Sequence, residues 1–301
     1  MELYTLLKMK RFPFLSVIFA AALIAAVFII IERVEKKPEP RHEGIIQHTP
    51  ESVKEGKGKI TKQRPVQETP QKQCNHVAII IDDIGFDLHA LRLLAELPAP
   101  LAFSVLPYTP HSAEAIEYLH ERKRELLLHL PMEPLSYPKE APGPGALMVN
   151  MDEQQIRRQL DDDLAVVPYV SGVNNHMGSR FMEDFNRLSL LMEELKKRNL
   201  YFVDSRTTPN SKGLEAAVRT GIHFASRDIF IDHEHGYEAA FQNLLKVSRQ
   251  DKGYSRPLLL IGHPHPDTIR AIKTIIPLWE REGIRIVDVK TVLRRVNKSE
   301  Y

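Results

Sequence analysis

Cysteine is almost absent. Cys74 is the single one among 301 residues, which excludes an internal disulfide framework and any zinc site built on several cysteines. Tryptophan also occurs once, at position 279 on an expected helix, and the other aromatic residues are too scattered for a base-stacking platform. An excess of one charge is missing as well: 41 basic side chains face 39 acidic ones, for a formal charge of +2, so no nucleic-acid partner is expected. The chain carries no His-Glu-x-x-His, no nucleophile elbow and no phosphate-binding glycine loop. It also has no evident internal repeat.

What is present divides into segments of different character. Lys8, Lys10 and Arg11 make residues 1–11 basic, and residues 12–31 follow without a charge, about long enough to cross a bilayer as a helix. The positive-inside rule keeps residues 1–11 cytoplasmic and sends the remainder outward. A cleaved signal peptide is the alternative. The small residues Ala20, Ala21, Ala22, Ala25 and Ala26 lie within the apolar run and not behind it, which favours an uncleaved transmembrane signal anchor. Residues 32–73 are rich in Lys, Glu, Gln and Pro and hold no Phe, Trp or Tyr, so they read as a disordered linker. Residues 74–301 form the expected folded domain, tethered outside the cytoplasm in a periplasmic or cell-surface location.

In that domain apolar strand-like runs at 76–81, 101–106, 125–130, 169–173, 200–203, 229–231, 258–261 and 284–287 alternate with helical patterns. Asp152 and Gln155 form a capping box ahead of Ile156, Leu160 and Leu164. Leu188, Leu191, Met192 and Leu195 make a second apolar stripe, and further helices carry Ile116 with Leu119 and Ile269 with Ile272. This alternation predicts an α/β fold with a parallel sheet, closed as a barrel or left open, and the strand number favours one (β/α) barrel-like domain.

The unusual polar residues fall at the ends of these runs. Asp82 and Asp83 follow the first, His129 closes the third, Asn174, Asn175 and His176 follow the fourth, Asp204 follows the fifth, and His263 follows Leu258 to Gly262 with His265 close behind. Singly, each suits a turn, a cap or a core histidine. In a parallel barrel these ends open on one face, so together they point to a shared site. Three ligands drawn from Asp and His suit a catalytic divalent metal, zinc foremost, with a neighbouring carboxylate free to act as a base in hydrolysis.

These residues resemble the motifs of the polysaccharide deacetylases, and more closely of their divergent branch. The matching segments are Ile81-Asp82-Asp83-Ile84-Gly85, His129-Leu130-Pro131-Met132-Glu133-Pro134, Asn174-Asn175-His176-Met177-Gly178-Ser179, Val203-Asp204-Ser205 and Gly262-His263-Pro264. The resemblance implies a distorted (β/α) barrel and metal-dependent removal of acetyl groups from N-acetylated sugars. It gives Asp82 the part of general base, Asp83 and His129 those of metal ligands, and His263 that of the acid protonating the departing amine. Where the better-known enzymes carry a second metal histidine, this chain has Glu133. Either Glu133 ligates or His176 supplies the nitrogen, and His176 is preferred. The usual arginine motif is not recognisable; Arg180 or Arg206 would substitute.

The expected activity is thus zinc-dependent deacetylation of a cell-envelope or exported glycan by a membrane-anchored enzyme, with Glu133, Asn175, Arg180, Asp204, Arg206 and His265 in secondary or substrate-binding places. The rival reading is a degenerate barrel that binds glycan or an envelope partner without turnover, which Glu133 favours. Hydrolysis of another ester or amide is a third reading.

Overall fold

The computed structural model describes residues 75–248 and 256–295. The expected membrane segment at 12–31 and the linker at 32–73 lie outside them. Among the described residues no helix is long and apolar enough to cross a membrane.

Strand and helix alternate as expected. The order is β1 (His76–Ile84), α1 (Leu88–Ala95), β2 (Ala102–Val105), α2 (Ser112–Glu121), β3 (Glu125–Met132), α3 (Glu153–Val166), β4 (Gly172–Met177), α4 (Phe185–Lys197), β5 (Tyr201–Asp204), α5 (Gly213–Thr220) and β6 (His223–Ser226). It continues with β7 (Ile229–Phe230), α6 (Tyr237–Ser248), β8 (Leu258–Gly262), α7 (Pro266–Arg281), β9 (Arg285–Ile286), α8 (Val289–Val292) and β10 (Arg294–Arg295). The sheet runs β10-β6-β5-β4-β3-β2-β1-β8-β7, with β9 on β1, and only the β10–β6 pair is antiparallel. β7 ends this path and β6 is the last parallel strand at the other end, inside the short β10, yet only Arg227 and Asp228 separate β6 from β7 in the chain. The sheet must therefore curl round until its two ends approach, giving a barrel left unpaired between β6 and β7.

The two faces of the curled sheet bury different sets of side chains. Val77, Ile79 and Ile81 of β1 pack outward with Leu91, Leu94, Ile116, Leu188 and Ile272 of the helices. The alternate residues Ala78 and Ile80 point inward with Ala102, Leu127, Val203, Leu259 and Ile261, and Val289 joins this inner cluster from α8. Space inside is short. A Cβ on Gly172 would come within 2.2 Å of the Tyr201 ring, which fills the interior beside it.

The capping box at Asp152 and Gln155 is present in both directions at 2.8 Å. Several expected boundaries move, two of them where the candidate residues lie. The fourth strand, expected at 169–173, runs from Gly172 to Met177, so Asn174, Asn175 and His176 belong to it. β1 likewise takes in Asp82 and Asp83. Apolar composition gives out before backbone pairing does: His129 still pairs with Asn174, and Pro131 with His176. A sixth strand, His223–Ser226, was not expected, being short with an exposed histidine at its head.

Candidate active site

Strand periodicity builds the site. Continuing the inner face by two residues leads from Ile80 to Asp82, from Ala102 to Ser104, from Leu127 to His129, from Gly172 through Asn174 to His176, from Val203 to Ser205 and from Ile261 to His263. The apolar plug of the barrel thus passes into a polar layer at the strands' C-terminal ends.

Asp83 should point outward by the same rule, and a β-bulge turns it back. Ile81 pairs with Phe103 and Ile84 with Val105, so Asp82 and Asp83 together stand opposite Ser104. Asp83 takes φ +56°, in the left-handed region that Asp tolerates better than most residues. Both carboxylates therefore reach one imidazole: His129 Nε2 is 3.7 Å from Asp82 Oδ2 and 3.2 Å from Asp83 Oδ1.

Asp83, His129 and His176 converge. Asp83 Oδ1 is 3.1 Å from His176 Nδ1, and His176 Nδ1 is 3.3 Å from His129 Nε2. Asp83 Oδ1 is buried and, despite these short distances, lacks the alignment of a hydrogen bond. A triangle of 3.1, 3.2 and 3.3 Å matches the ligand edges of about 3.3 Å that a tetrahedral zinc with bonds near 2.0 Å requires. The donor set and the orphaned oxygen both fit a divalent cation. Burial works to raise the Asp83 carboxyl, but the imidazoles of His129 and His176 outweigh it and hold it well below the ordinary range.

Asn174, fully buried, organises the neighbours of this triangle. Its Oδ1 accepts from His129 Nδ1 at 3.0 Å and from the Ser104 hydroxyl, while its Nδ2 donates to Asp82 Oδ1 at 2.8 Å and to Ser205 Oγ at 3.2 Å. Asp82 is 3% exposed, and burial raises its carboxyl against the opposing pull of His129 and His263.

His263 stands across from the triangle, its Nε2 3.9 Å from Asp83 Oδ2. Asp232, which the sequence reading passed over, holds it. Asp232 Oδ1 is 3.0 Å from His263 Nδ1, and its Oδ2 accepts from the His263 backbone N–H at 2.7 Å and from Thr268 Oγ1 at 2.8 Å. Burial lowers the His263 imidazole, but the bond and charge of Asp232 prevail and push it up to about 9. Asp232 directly follows the apolar run 229–231, so the strand-end rule applied to Asp82 would have found it.

The secondary residues spread out. Glu133 is buried, with Oε1 on Arg180 Nη1 at 2.9 Å and Oε2 on the Val149 N–H at 2.7 Å. Asn175 and Asp204 sit one residue out of phase, on the outer face. Asn175 ties β4 to the next turn through the Ser205 N–H and the Met177 carbonyl, and Asp204 accepts from Ser211 Oγ and the Arg206 N–H. Arg206 is exposed, and His265 lies beside His263 with ring centroids 5.7 Å apart. The arginine whose charge reaches Asp82 is Arg227, anchored on the Ser205 carbonyl at 2.7 Å. Sequence reading missed it because no apolar run precedes it.

The model of the divergent polysaccharide deacetylase family matches residues 79–293. The uncharacterized protein YibQ of Escherichia coli (strain K12) is 33% identical over 203 residues, 66% of this chain and 62% of that protein. The chain thus spans under two thirds of that relative's length. An uncharacterized protein of Haemophilus influenzae (strain ATCC 51907 / DSM 11121 / KW20 / Rd) is 29% identical over 197 residues, 65% of this chain and 69% of that one. Among solved structures, the uncharacterized protein ATU2773 from Agrobacterium tumefaciens C58 superposes with a TM-score of 0.63 at 21% identity, covering 75% of this chain and 88% of that one. That likeness concerns the fold alone.

Proposed function

Because the chain belongs to the divergent polysaccharide deacetylase family, we propose that it is a metal-dependent hydrolase that removes acetyl groups from N-acetylated sugars of a cell-envelope or exported glycan. The observation that carries this reading is the triangle of Asp83, His129 and His176, with one carboxylate, Asp82, beside it and one imidazole, His263, across from it. Glu133, which favoured a binding-only barrel, has both oxygens engaged by Arg180 and Val149, and the 3.1 Å approach of His176 Nδ1 to Asp83 Oδ1 supports His176 as the third ligand.

Asp83, His129 and His176 would hold the cation, zinc by their donor set, which when bound supplies Lewis-acid polarisation of the acetyl carbonyl and of water. The protein's own groups move the protons. Asn174 occupies Asp82 Oδ1, leaving Oδ2 to take a proton from the water whose oxygen bonds to the carbonyl carbon. As the C–N bond breaks, His263 delivers the proton on Nε2 to the departing nitrogen, giving acetate and a free amine. Asp232 keeps the His263 ring oriented and protonated at neutral pH. An anchor at residues 12–31 and a linker at 32–73 would hold this domain outside the membrane within reach of glycan.

The test is acetate release from N-acetylated oligosaccharides by the zinc-loaded full-length chain. Release is expected, with Asp82→Asn slower by about 10²- to 10⁴-fold. No release from any acetylated glycan, or an unchanged rate in Asp82→Asn, overturns the reading.

A further inference from the structure

His263 faces two ways. Its Nε2 looks toward Asp83, while its Nδ1 meets Asp232 Oδ1 on the other side of the ring. His265 stands beside this ring, with centroids 5.7 Å apart, and one ligating atom each of Asp232, His263 and His265 lies within 4.8 Å of the others. A carboxylate and two imidazoles are a zinc donor set, with room for water in a fourth position.

The three side chains are held to different degrees. Asp232 is 9% exposed, and its Oδ2 is fixed by the His263 N–H and the Thr268 hydroxyl, so Oδ1 is presented to the shared space. The His265 backbone lies between Pro264 and Pro266, its N–H on the His263 carbonyl at 2.8 Å and its carbonyl on the Ile269 N–H at 2.9 Å. Its ring is exposed, so a rotation toward a cation would not disturb the core. A cation between Asp232 Oδ1 and His263 Nδ1 would replace the proton they share, so Asp232 would keep a positive partner.

We propose that Asp232, His263 and His265 form a second divalent-cation site, filled by zinc after the Asp83–His129–His176 triangle, and that its occupation shuts off proton delivery by His263. A ring with a metal on Nδ1 is no longer an imidazolium. Its Nε2–H is a weaker acid, and the carboxylate that oriented it is taken up as a ligand. The shut-off rests on the deacetylase reading above; the binding does not.

Zinc chloride titrated into the metal-stripped full-length chain, with bound ions counted by equilibrium dialysis and elemental analysis, tests both halves. Wild type is expected to take up two ions in resolved steps. His265→Ala should weaken the second by about tenfold or more and leave the first, and His176→Ala should weaken the first. The rate in excess zinc divided by the rate at one equivalent should fall in wild type and stay near unity in His265→Ala. A single ion in wild type, or a second ion held equally by His265→Ala, overturns the proposal. Two ions in wild type and one in His265→Ala, with no acetate released, would sustain this binding site while sinking the deacetylase reading.

Discussion

Asn174 Oδ1 lies 3.0 Å from His129 Nδ1, and that contact decides which nitrogen of His129 is free. An amide oxygen only accepts, and the other end of the same amide donates to Asp82, so Nδ1 carries a hydrogen and Nε2, toward Asp83, is the nitrogen left to ligate. One side chain thereby sets the tautomer of a proposed ligand and the orientation of the proposed base.

Asn174→Ala removes both contacts and leaves buried partners unsatisfied. Zinc affinity, measured by competition with a chelator, is expected to fall by about 10- to 100-fold, with acetate release falling at least as far. Equal affinity in the two proteins would remove the tautomer from the account.

Glu133→Ala separates a structural carboxylate from a ligand. The substitution strands the Val149 N–H and leaves Arg180 without its 2.9 Å partner. Zinc stoichiometry should stay as in wild type while stability falls by about 1–3 kcal/mol. Loss of bound zinc with stability unchanged would return Glu133 to the metal centre.

Asp232→Asn acts on the alkaline side of the pH profile. As the proposed donor, His263 would serve only while protonated, and with its pKa at about 9 that holds through neutral pH and is lost as pH rises past 9. Without the carboxylate, burial pushes the ring down against only the more distant charges of Asp82 and Asp83. The alkaline limb of kcat against pH should move down by at least one unit, so the deficit is larger at pH 8 than at pH 6. A limb that does not move would mean that His263 is not the donor.

Much of this site was legible because strand ends in a parallel sheet share one face: Asp82, His129, His176 and His263 were found from apolar runs and the polar residues that end them. What was not legible depended on phase and register. Asp83 reaches the inner face through a bulge with positive φ, and nothing in Ile81-Asp82-Asp83-Ile84 distinguishes a bulge from a turn. Asp204 ends an apolar run as Asp82 does, but it sits on the outer face, so the same rule drew in a residue that serves a turn. Asp232 lay within reach of the rule, directly behind the run at 229–231, whereas Arg227 escaped because β6 has four residues with a histidine at its head and offers no apolar run. The curling of the sheet was readable only as a choice between open and closed, because it depends on which strands pair.

Asp163 offers a test of the fold that is independent of the site. It is fully buried on α3, with Oδ1 accepting from Gln159 Nε2 at 3.0 Å and Oδ2 without a partner. Burial pushes its carboxyl up to about 7, above the ordinary 3.8 that it regains on unfolding. Between these values the folded chain holds a proton that the unfolded chain has released. Asp163 therefore makes stability fall as pH rises from about 4 to about 7, and adds no further slope above that. Asp163→Asn keeps the shape and removes the charge. It should match wild type near pH 3, exceed it already at pH 5, and exceed it most at pH 8, by at most about 4 kcal/mol. Trp279, the single tryptophan and 1% exposed, reports denaturant unfolding by fluorescence in both proteins. A gain no larger at pH 8 than at pH 5 would mean that Asp163 is not what titrates.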